Sequence, residues 1–475
     1  MKTYPIYVAG KFITTEANLS VENPHHGKAF AMTYQAGEAE FETAICAAKK
    51  VKNEMANLPV YKRYNILRQV ADELEKDKEN LAEILAMECG KPFKYALGEI
   101  ERAVQTFLTA AEEAKRLPSE VQSIDWEHFS VGKKAMIQYF PVGIVAGVTP
   151  FNFPMNLVAH KVAPAIAAGC PILIKPATST PLSALKLAEI LDKTDLPKGA
   201  FSVMPMDRVT GNKLVTDERI NLLSFTGSPY VGWKMKAECG KKKVVLELGG
   251  NAGAVITADT DIDHAVSRCV IGAFANNGQS CIHTQRIYVH ESIFEAFKEK
   301  FLKAVEGLKI GAPEDRDTDV SSMIDEKNAC RLKSWIDEDV KAGCKILTGG
   351  KQTGSYLSPV VLTDTKKGMK NVSEEAFGPV VTLDKYDDFK NVIETINDSD
   401  FGLQAGIFTH DWREINYAYK NLEVGGVVIN DVPTFRADHL PYGGVKDSGI
   451  GREGPKYAIL DMMEPRVLML DDREI

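Results

Sequence analysis

Cys281 stands in Gly278-Gln279-Ser280-Cys281, with Phe274 seven residues before it and Arg286 five after it. A thiol placed just after Gly-Gln sits on a loop that exposes the sulfur and leaves backbone N–H groups free around it. The thiolate rather than the thiol attacks carbon, so this group reads as a nucleophile for a carbonyl. Attack on an aldehyde gives a tetrahedral adduct with an oxyanion. Asn152, in Thr149-Pro150-Phe151-Asn152-Phe153-Pro154, offers a side-chain amide held between two prolines after an apolar run. That amide and the Cys281 N–H would stabilise the oxyanion by about 3 kcal/mol per donor. Glu247, in Leu246-Glu247-Leu248-Gly249-Gly250-Asn251, ends another apolar run. Partial desolvation there raises a carboxylate's pKa toward the working pH, which suits a base that activates water. The plainer readings are that Asn152 caps a helix and that Glu247 pairs with a lysine at 241–243.

Strand ends must position both residues. From Gly143 the chain alternates short apolar strands, at 144–148, 171–175, 201–204, 220–225 and 244–248, with helical stretches. That alternation argues for a doubly wound parallel sheet. A second α/β region follows Gly250, with strands near 286–290, 380–383, 405–408 and 427–429 and helices over 294–308 and 326–342. Residues 40–115 have a helical period broken at Pro59 and at 90–92. The period is lost over 119–139, where 129–132 and 135–139 read as a strand pair. Gly227, Ser228 and Gly232 follow the strand 220–225 and open a helix, a junction where backbone can approach a pyrophosphate. The run 449–454 also matches G-x-G-x-x-G, but no strand precedes it, so it reads as a glycine-rich turn.

A chain of 475 residues exceeds one compact core and implies two or three domains. The net charge of −8, with no basic stripe, argues against nucleic acid. Residues 1–12 lack the pattern of a secretory signal, and the longest apolar run, 162–174, is too short and too broken by proline to span a bilayer. Eight cysteines without a C-x-x-C pair argue against a metal site or disulfides and for a reducing, cytoplasmic setting.

The run from Phe274 to Arg286, with Asn152, Gly227 and Glu247 in the same order, resembles the NAD(P)-dependent aldehyde dehydrogenase superfamily over about residues 6–465. The resemblance implies the aldehyde dehydrogenase fold. In it a Rossmann-like cofactor domain (1–117 and 141–248) joins an α/β catalytic domain (249–449). A small β oligomerisation element (118–140 and 450–475) builds a homodimer or homotetramer. It implies that Cys281 is the nucleophile, Asn152 the oxyanion donor and Glu247 the general base. Members that pass the acyl group to coenzyme A generally lack this Glu, so the product is the free acid. Thr149, Phe151, Lys175, Thr178, Gly227, Ser228, Gly232, Glu375 and Phe377 fall at the family's NAD or NADP contacts. NAD-preferring members often carry Glu where this chain has Thr178. A hydroxyl there can donate to a 2′-phosphate, so NADP is usable. Gly253 replaces a more usual Pro.

Within the family the chain looks similar to the lactaldehyde, phosphonoacetaldehyde and non-phosphorylating glyceraldehyde-3-phosphate branch. Arg102 and Arg436 then face the substrate, with Phe435 and His439 near Arg436 and a small Ser280 before the nucleophile. Two guanidiniums favour an anionic tail. A semialdehyde, a phospho- or phosphonoaldehyde and lactaldehyde all remain open. The alternatives are a broad-range enzyme for apolar aldehydes, or a cysteine hydrolase using His283, for which no third triad member is visible.

Overall fold

Short runs rich in Val, Ile, Leu and Phe become central strands here because helices cover both faces of the sheets they build. The computed structural model describes residues 1–471. Its first large sheet runs in the order Gly449–Ile450, Lys243–Glu247, Leu222–Thr226, Val145–Val148, Ile172–Lys175, Phe201–Val203, Ile6–Val8 and Lys11–Ile13. The five strands from Lys243–Glu247 to Phe201–Val203 are mutually parallel, and the flanking strands pair antiparallel. The chain winds outward from Val145–Val148 through Phe201–Val203, then returns to the other side at Leu222–Thr226. The reversal between Val145–Val148 and Leu222–Thr226 opens a crevice at the strands' carboxyl ends, where ligands of open α/β sheets bind.

The second large sheet runs Lys345–Thr348, Val360–Thr363, Val380–Tyr386, Arg286–His290, Gly253–Ile256, Gln404–Phe408 and Gly426–Ile429. Only its first, edge strand is antiparallel. The strands expected from sequence agree with these to within a few residues.

Four regions differ from the sequence reading, the first being the second sheet itself, where strands Gly253–Ile256, Lys345–Thr348 and Val360–Thr363 were not expected. The N-terminal segment supplies strands, including Asn18–Asn23 and Lys28–Tyr34, where no element was expected. They run six and seven residues, but Asn, Ser, Glu, Lys and Thr are mixed through them, so the apolar pattern is weak. The strand expected at 129–132 is not one: His128–Ser130 is a single 3-10 turn, and the pair is Ser119–Ser123 with Lys133–Pro141. Exposed Phe129 and Val131 mimicked a strand's alternation. The residues after 449 divide. Gly449–Ile450 pairs with Lys243–Glu247, helix Pro455–Asp461 packs on helix Asn156–Ala168, and Met463–Asp471 pairs with Lys133–Pro141. The last four residues of the expected oligomerisation element lie outside the described residues. No helix among the described residues is long and apolar enough to cross a membrane.

The loop before Cys281 is shaped by its own side chains. Asn276, Asn277 and Gly278 are three successive left-handed residues, at φ 52°, 57° and 68°. Asparagine and glycine tolerate that region best. The Asn277 amide donates to the carbonyls of Gly90 (3.0 Å) and Ser322 (2.7 Å) and accepts from the Ser321 N–H at 2.6 Å. Gln279 Oε1 accepts from Ile324 N–H. Gln285 bridges to Asn371, Glu374 and Ala376, fixing the loop that carries Glu375. Arg286 closes on the carbonyls of Asn251 and Ile396. Asn277→Ala would orphan three buried backbone groups and strain its φ. Urea unfolding should show a loss of about 2–5 kcal/mol; a change below ~1 kcal/mol would mean the loop is held by other contacts.

Candidate active site

Cys281, Asn152, Phe151, Gly227, Glu375 and Phe377 all line one cavity of about 620 Å³. The crevice expected at the strand reversal is its floor. Cys281 is half-buried, and its Sγ lies 3.0 Å from the Tyr442 hydroxyl. Burial pushes the thiol up to about 12, with Glu375 and Glu247 acting the same way; the Tyr442 hydrogen bond and Arg436 oppose this.

Asn152 does not cap the following helix. Glu99 does, its Oε1 accepting from the N–H groups of Met155 and Asn156 at 2.9 and 3.1 Å. Asn152 Nδ2 instead donates to the Gln279 carbonyl at 3.0 Å, and its Oδ1 is buried without a partner. That carbonyl identifies the nitrogen end of the amide. One N–H hydrogen is spent on it, and the second is left without a protein acceptor in the cavity that Cys281 also lines.

Glu247 ends strand Lys243–Glu247 and is 2% exposed, and neither carboxyl oxygen has a hydrogen bond. No lysine at 241–243 pairs with it: Lys243 turns to the Met463 carbonyl and Glu464. The carboxyl is not on the cavity wall. It is folded against Gly443, where any side chain would collide with it. Burial raises its pKa well above the ordinary carboxylate range and the nearby Glu453 raises it further, against Arg436, Lys161 and Arg452. Glu453 shifts the other way: despite burial, Lys161, Arg436 and His160 hold it low. Lys161 Nζ lies 3.4 Å from Glu453 Oε1 and donates to Ser224 and Thr226. Two carboxyls whose surroundings push them apart form a usable acid–base pair.

At the far end of the cavity Arg102 and Arg436 come together, as the sequence expected, but through a shared carboxylate. Arg102 donates from Nε and Nη2 to Asp438, both at 2.8 Å. Arg436 Nε is 3.2 Å from the same carboxylate, off the hydrogen-bond axis, and its Nη2 donates to Glu453 at 3.0 Å. His160 Nε2 lies 2.8 Å from Asp438 Oδ1. Burial and Arg436 lower the pKa of this ring against the pull of Asp438 and Glu453, and the same Nε2 lies 3.1 Å from Arg436 Nη2. Arg102 is 31% exposed and Arg436 only 6%. Neither Nη1 has a protein partner among the described residues. Phe435 and His439 are exposed and absent from the cavity wall. His283 donates to the Ala273 carbonyl at 2.8 Å and is held neutral by burial at about 4, so it is no partner for Cys281.

Of the remaining cofactor candidates Ser228 lines the cavity beside Gly227, whereas Thr149, Lys175, Thr178 and Gly232 stand just outside it. Thr149 follows strand Val145–Val148, and its buried Oγ1 has no partner. Lys175 ends the neighbouring strand and makes no ion pair among the described residues. Burial lowers its ammonium, Asp207 opposing and Arg208 adding to the effect. Thr178 is half-buried three residues on. Gly227 and Gly232 open and continue helix Pro229–Glu238, whose N-cap Ser228 makes no side-chain bond. Side chains at these glycines would meet Phe225 and Leu248. A bare helix N-terminus, an orphan hydroxyl and an unpaired ammonium along one crevice fit a dinucleotide. Phe151 and Phe377 meet edge to face, ring centroids 5.7 Å apart. Glu375 accepts from Gly250 N–H at 3.0 Å, and burial brings its carboxyl up to about 7. No group of three or more His, Cys, Asp or Glu among the described residues is placed to hold a metal ion.

Sequence reasoning missed Lys161, Glu453, Asp438, His160 and Tyr442. Lys161 had a signal: it is a lone cation in a helix, Asn156–Ala168, that is otherwise nearly all apolar. Glu453 sits inside the glycine-rich run set aside as a turn. The structure uses that run as a sheet edge whose next residues carry the carboxylate.

A thiol, an amide hydrogen and an unpaired carboxyl beside a dinucleotide crevice form the apparatus of an aldehyde-oxidising enzyme. A profile described as "Aldehyde dehydrogenase family" matches residues 12–468, and the chain belongs to that family. It is an NAD(P)-dependent oxidoreductase that converts an aldehyde to its carboxylic acid through a cysteine thiohemiacetal and thioester. The 3-sulfolactaldehyde dehydrogenase of Priestia aryabhattai is 42% identical over 473 residues, 99% of this chain and 98% of that protein. Aldehyde dehydrogenase 21 from Physcomitrella patens, in complex with the reaction product succinate, superposes with a TM-score of 0.98 at 46% identity, covering 99% of this chain and 98% of that one. The glyceraldehyde-3-phosphate dehydrogenase GapN from Methanocaldococcus jannaschii, complexed with NADP, superposes at 0.92 with 36% identity, covering 95% and 99%.

Glu453→Gln should lower the Glu247 pKa, because it removes the neighbouring anion and leaves Lys161 and Arg436 beside that carboxyl. Infrared titration of the protonated carboxyl band that Glu247→Gln abolishes would measure it. A midpoint that stayed or rose would clear Glu453 of that influence.

Proposed function

We propose that this enzyme oxidises a small aldehyde bearing a singly charged anionic tail, a carboxylate or sulfonate, to the free acid, with NADP as the preferred cofactor. The observation that carries the substrate is the charge balance at the Arg102–Arg436 end. Three cations, Arg102, Arg436 and Lys161, face two carboxylates, Asp438 and Glu453. Burial and Arg436 disfavour the charged form of His160, and counted without it one positive charge is left over. A carboxylate or sulfonate matches it, whereas a phosphate dianion exceeds it. The two unpaired Nη1 groups supply the donors. The names of the relatives agree in part: one acts on sulfolactaldehyde and one holds succinate. For the cofactor, Thr178 offers a hydroxyl, and Lys175 with the exposed Arg208 sets two cations against the one anion Asp207 on the side where a 2′-phosphate would lie.

In this reading Cys281 adds to the aldehyde, and the free Asn152 N–H with the Cys281 N–H holds the oxyanion. The nicotinamide, when bound, accepts the hydride. Glu375, with Phe151 and Phe377, would hold the nicotinamide ribose. Glu247 then swings from beside Gly443 toward the thioester and takes a proton from the attacking water. No hydrogen bond has to break for that swing. Domains divide at 117/118, 140/141 and 248/249, as the three sheets suggest. The exposed Trp126, Phe129, Val467, Leu468 and Met469 around the three-stranded sheet favour pairing of copies there.

With Glu247→Gln, acyl-enzyme should accumulate: a burst of one reduced nicotinamide per active site, then steady-state turnover down by about 10³. In the wild type, steady turnover rises with pH as Glu247 ionises, and that limb disappears in the variant. Absence of a burst would move the water-activating role elsewhere. Succinate semialdehyde should surpass lactaldehyde and glyceraldehyde 3-phosphate in kcat/KM by about 100-fold with NADP, and Arg102→Leu should erase that advantage. Equal turnover of propionaldehyde, unchanged by the substitution, would leave the oxidation chemistry standing and sink the anionic substrate.

A further inference from the structure

Tyr442 holds a place that neither oxyanion binding nor water activation uses. Its hydroxyl is 3.0 Å from Cys281 Sγ and has no other protein partner among the described residues. The ring is 4% exposed. Its backbone is fixed by a two-bond bridge to Glu453: Tyr442 N–H donates to the Glu453 carbonyl at 3.0 Å, and Glu453 N–H returns the bond at 2.6 Å. One face of the ring is covered by Arg436, whose Cζ lies 3.7 Å from the centroid.

We infer that Tyr442 is a further catalytic residue, its O–H donating to the Cys281 thiolate and stabilising the nucleophile before attack, with Arg436 strengthening the donor from the ring face. The inference rests on the assignment of Cys281 as nucleophile. A hydrogen bond to an ionised acceptor is about twice as strong as a neutral one. A guanidinium over the π face draws electron density from the ring and polarises the O–H. When the thiol ionises, the S–H bond breaks, the proton passes to solvent water and the electron pair stays on sulfur. The hydroxyl keeps its own proton throughout and only turns toward sulfur. On attack that pair forms the S–C bond, the carbonyl π pair moves to oxygen, and the tyrosine bond relaxes. Glu375 on the cavity wall, and Glu247 once it is charged, resist ionisation, and Arg436 favours it. Tyr442 is therefore the group in direct contact with the sulfur that opposes the rise imposed by burial. Burial keeps its own phenol protonated.

The test is the pH dependence of Cys281 alkylation by iodoacetamide in the full-length enzyme without aldehyde, followed by mass spectrometry of the Cys281 peptide. Tyr442→Phe keeps the ring and its stacking and removes only the hydroxyl. Its midpoint should rise by about one pH unit, giving about tenfold slower alkylation at a fixed pH below it. KM for NADP and the unfolding temperature should stay at wild-type values. An unchanged midpoint overturns the inference. If Tyr442→Phe does not fold, global replacement of tyrosine by the more acidic 3-fluorotyrosine gives the opposite shift: the midpoint falls if Tyr442 donates and stays if it does not. Cys281→Ser reports on the underlying assignment. Full aldehyde oxidation by that variant would remove Cys281 as nucleophile, whereas a dead Cys281→Ser beside an unshifted Tyr442→Phe removes only the tyrosine.

Discussion

A carboxyl buried without a hydrogen bond is the constraint around which the rest of this site is arranged. Leaving Glu247 charged and unpartnered in the interior would cost several kcal/mol, so the group rests protonated. Its surroundings keep that state within reach of change. Glu453 raises its pKa, while Lys161, Arg436 and Arg452 pull it back. Those cations need anions of their own, which Glu453 and Asp438 supply. Asp438 in turn gathers Arg102 and His160. The substrate end and the water-activating end of the cavity are thus joined by one set of buried charges, in which Arg436 touches both.

The backbone serves the same end. Parallel strands place Asn152 and Glu247 just past or at their carboxyl termini, on two strands separated by one other in the sheet. The return of the chain at Gly449–Ile450 lays an antiparallel edge against Lys243–Glu247, and the turn after it delivers Glu453. Helix Asn156–Ala168 crosses beneath with His160 and Lys161 side by side. A lysine in a helix buried along its whole length is tolerable only because its ammonium finds two hydroxyls and a carboxylate.

What the sequence disclosed and what it withheld follow from range. Cys281, Asn152 and Glu247 were legible because each sits at a local boundary, a strand end or a Gly-Gln turn, that the chain announces within six residues. Most strands of the two large sheets were legible because they are apolar on both faces and so read as unbroken runs, but Gly253–Ile256, Lys345–Thr348 and Val360–Thr363 were not. The N-terminal strands, with polar residues mixed through them, were not. Glu453, Asp438 and Tyr442 were hidden because their partners lie far off: Glu453 meets Lys161 nearly 300 residues away, and nothing in Gly451-Arg452-Glu453-Gly454 hints at it. Arg436 was legible as a residue but not in its setting, since its carboxylate partners could not be seen. Phe435 and His439, adjacent in sequence, turn outward on the same loop. The 449–454 run shows the converse: setting it aside as a phosphate loop was sound, yet it still carried a residue of the site.

The left-handed turn at 276–278 has a different kind of consequence. It is held by side chains of the nucleophile segment itself, Asn277, Gln279 and Gln285 bonding backbone groups, so few substitutions there would be silent. The anion end is built otherwise: Arg102 comes from a helix, and Arg436 and Asp438 come from a loop near the other end of the chain. Mutational drift can therefore rewrite the tail that the enzyme accepts, one side chain at a time, while the part that handles the aldehyde carbon is inherited whole. A scaffold divided this way lets one chemistry spread over many aldehydes without being reinvented.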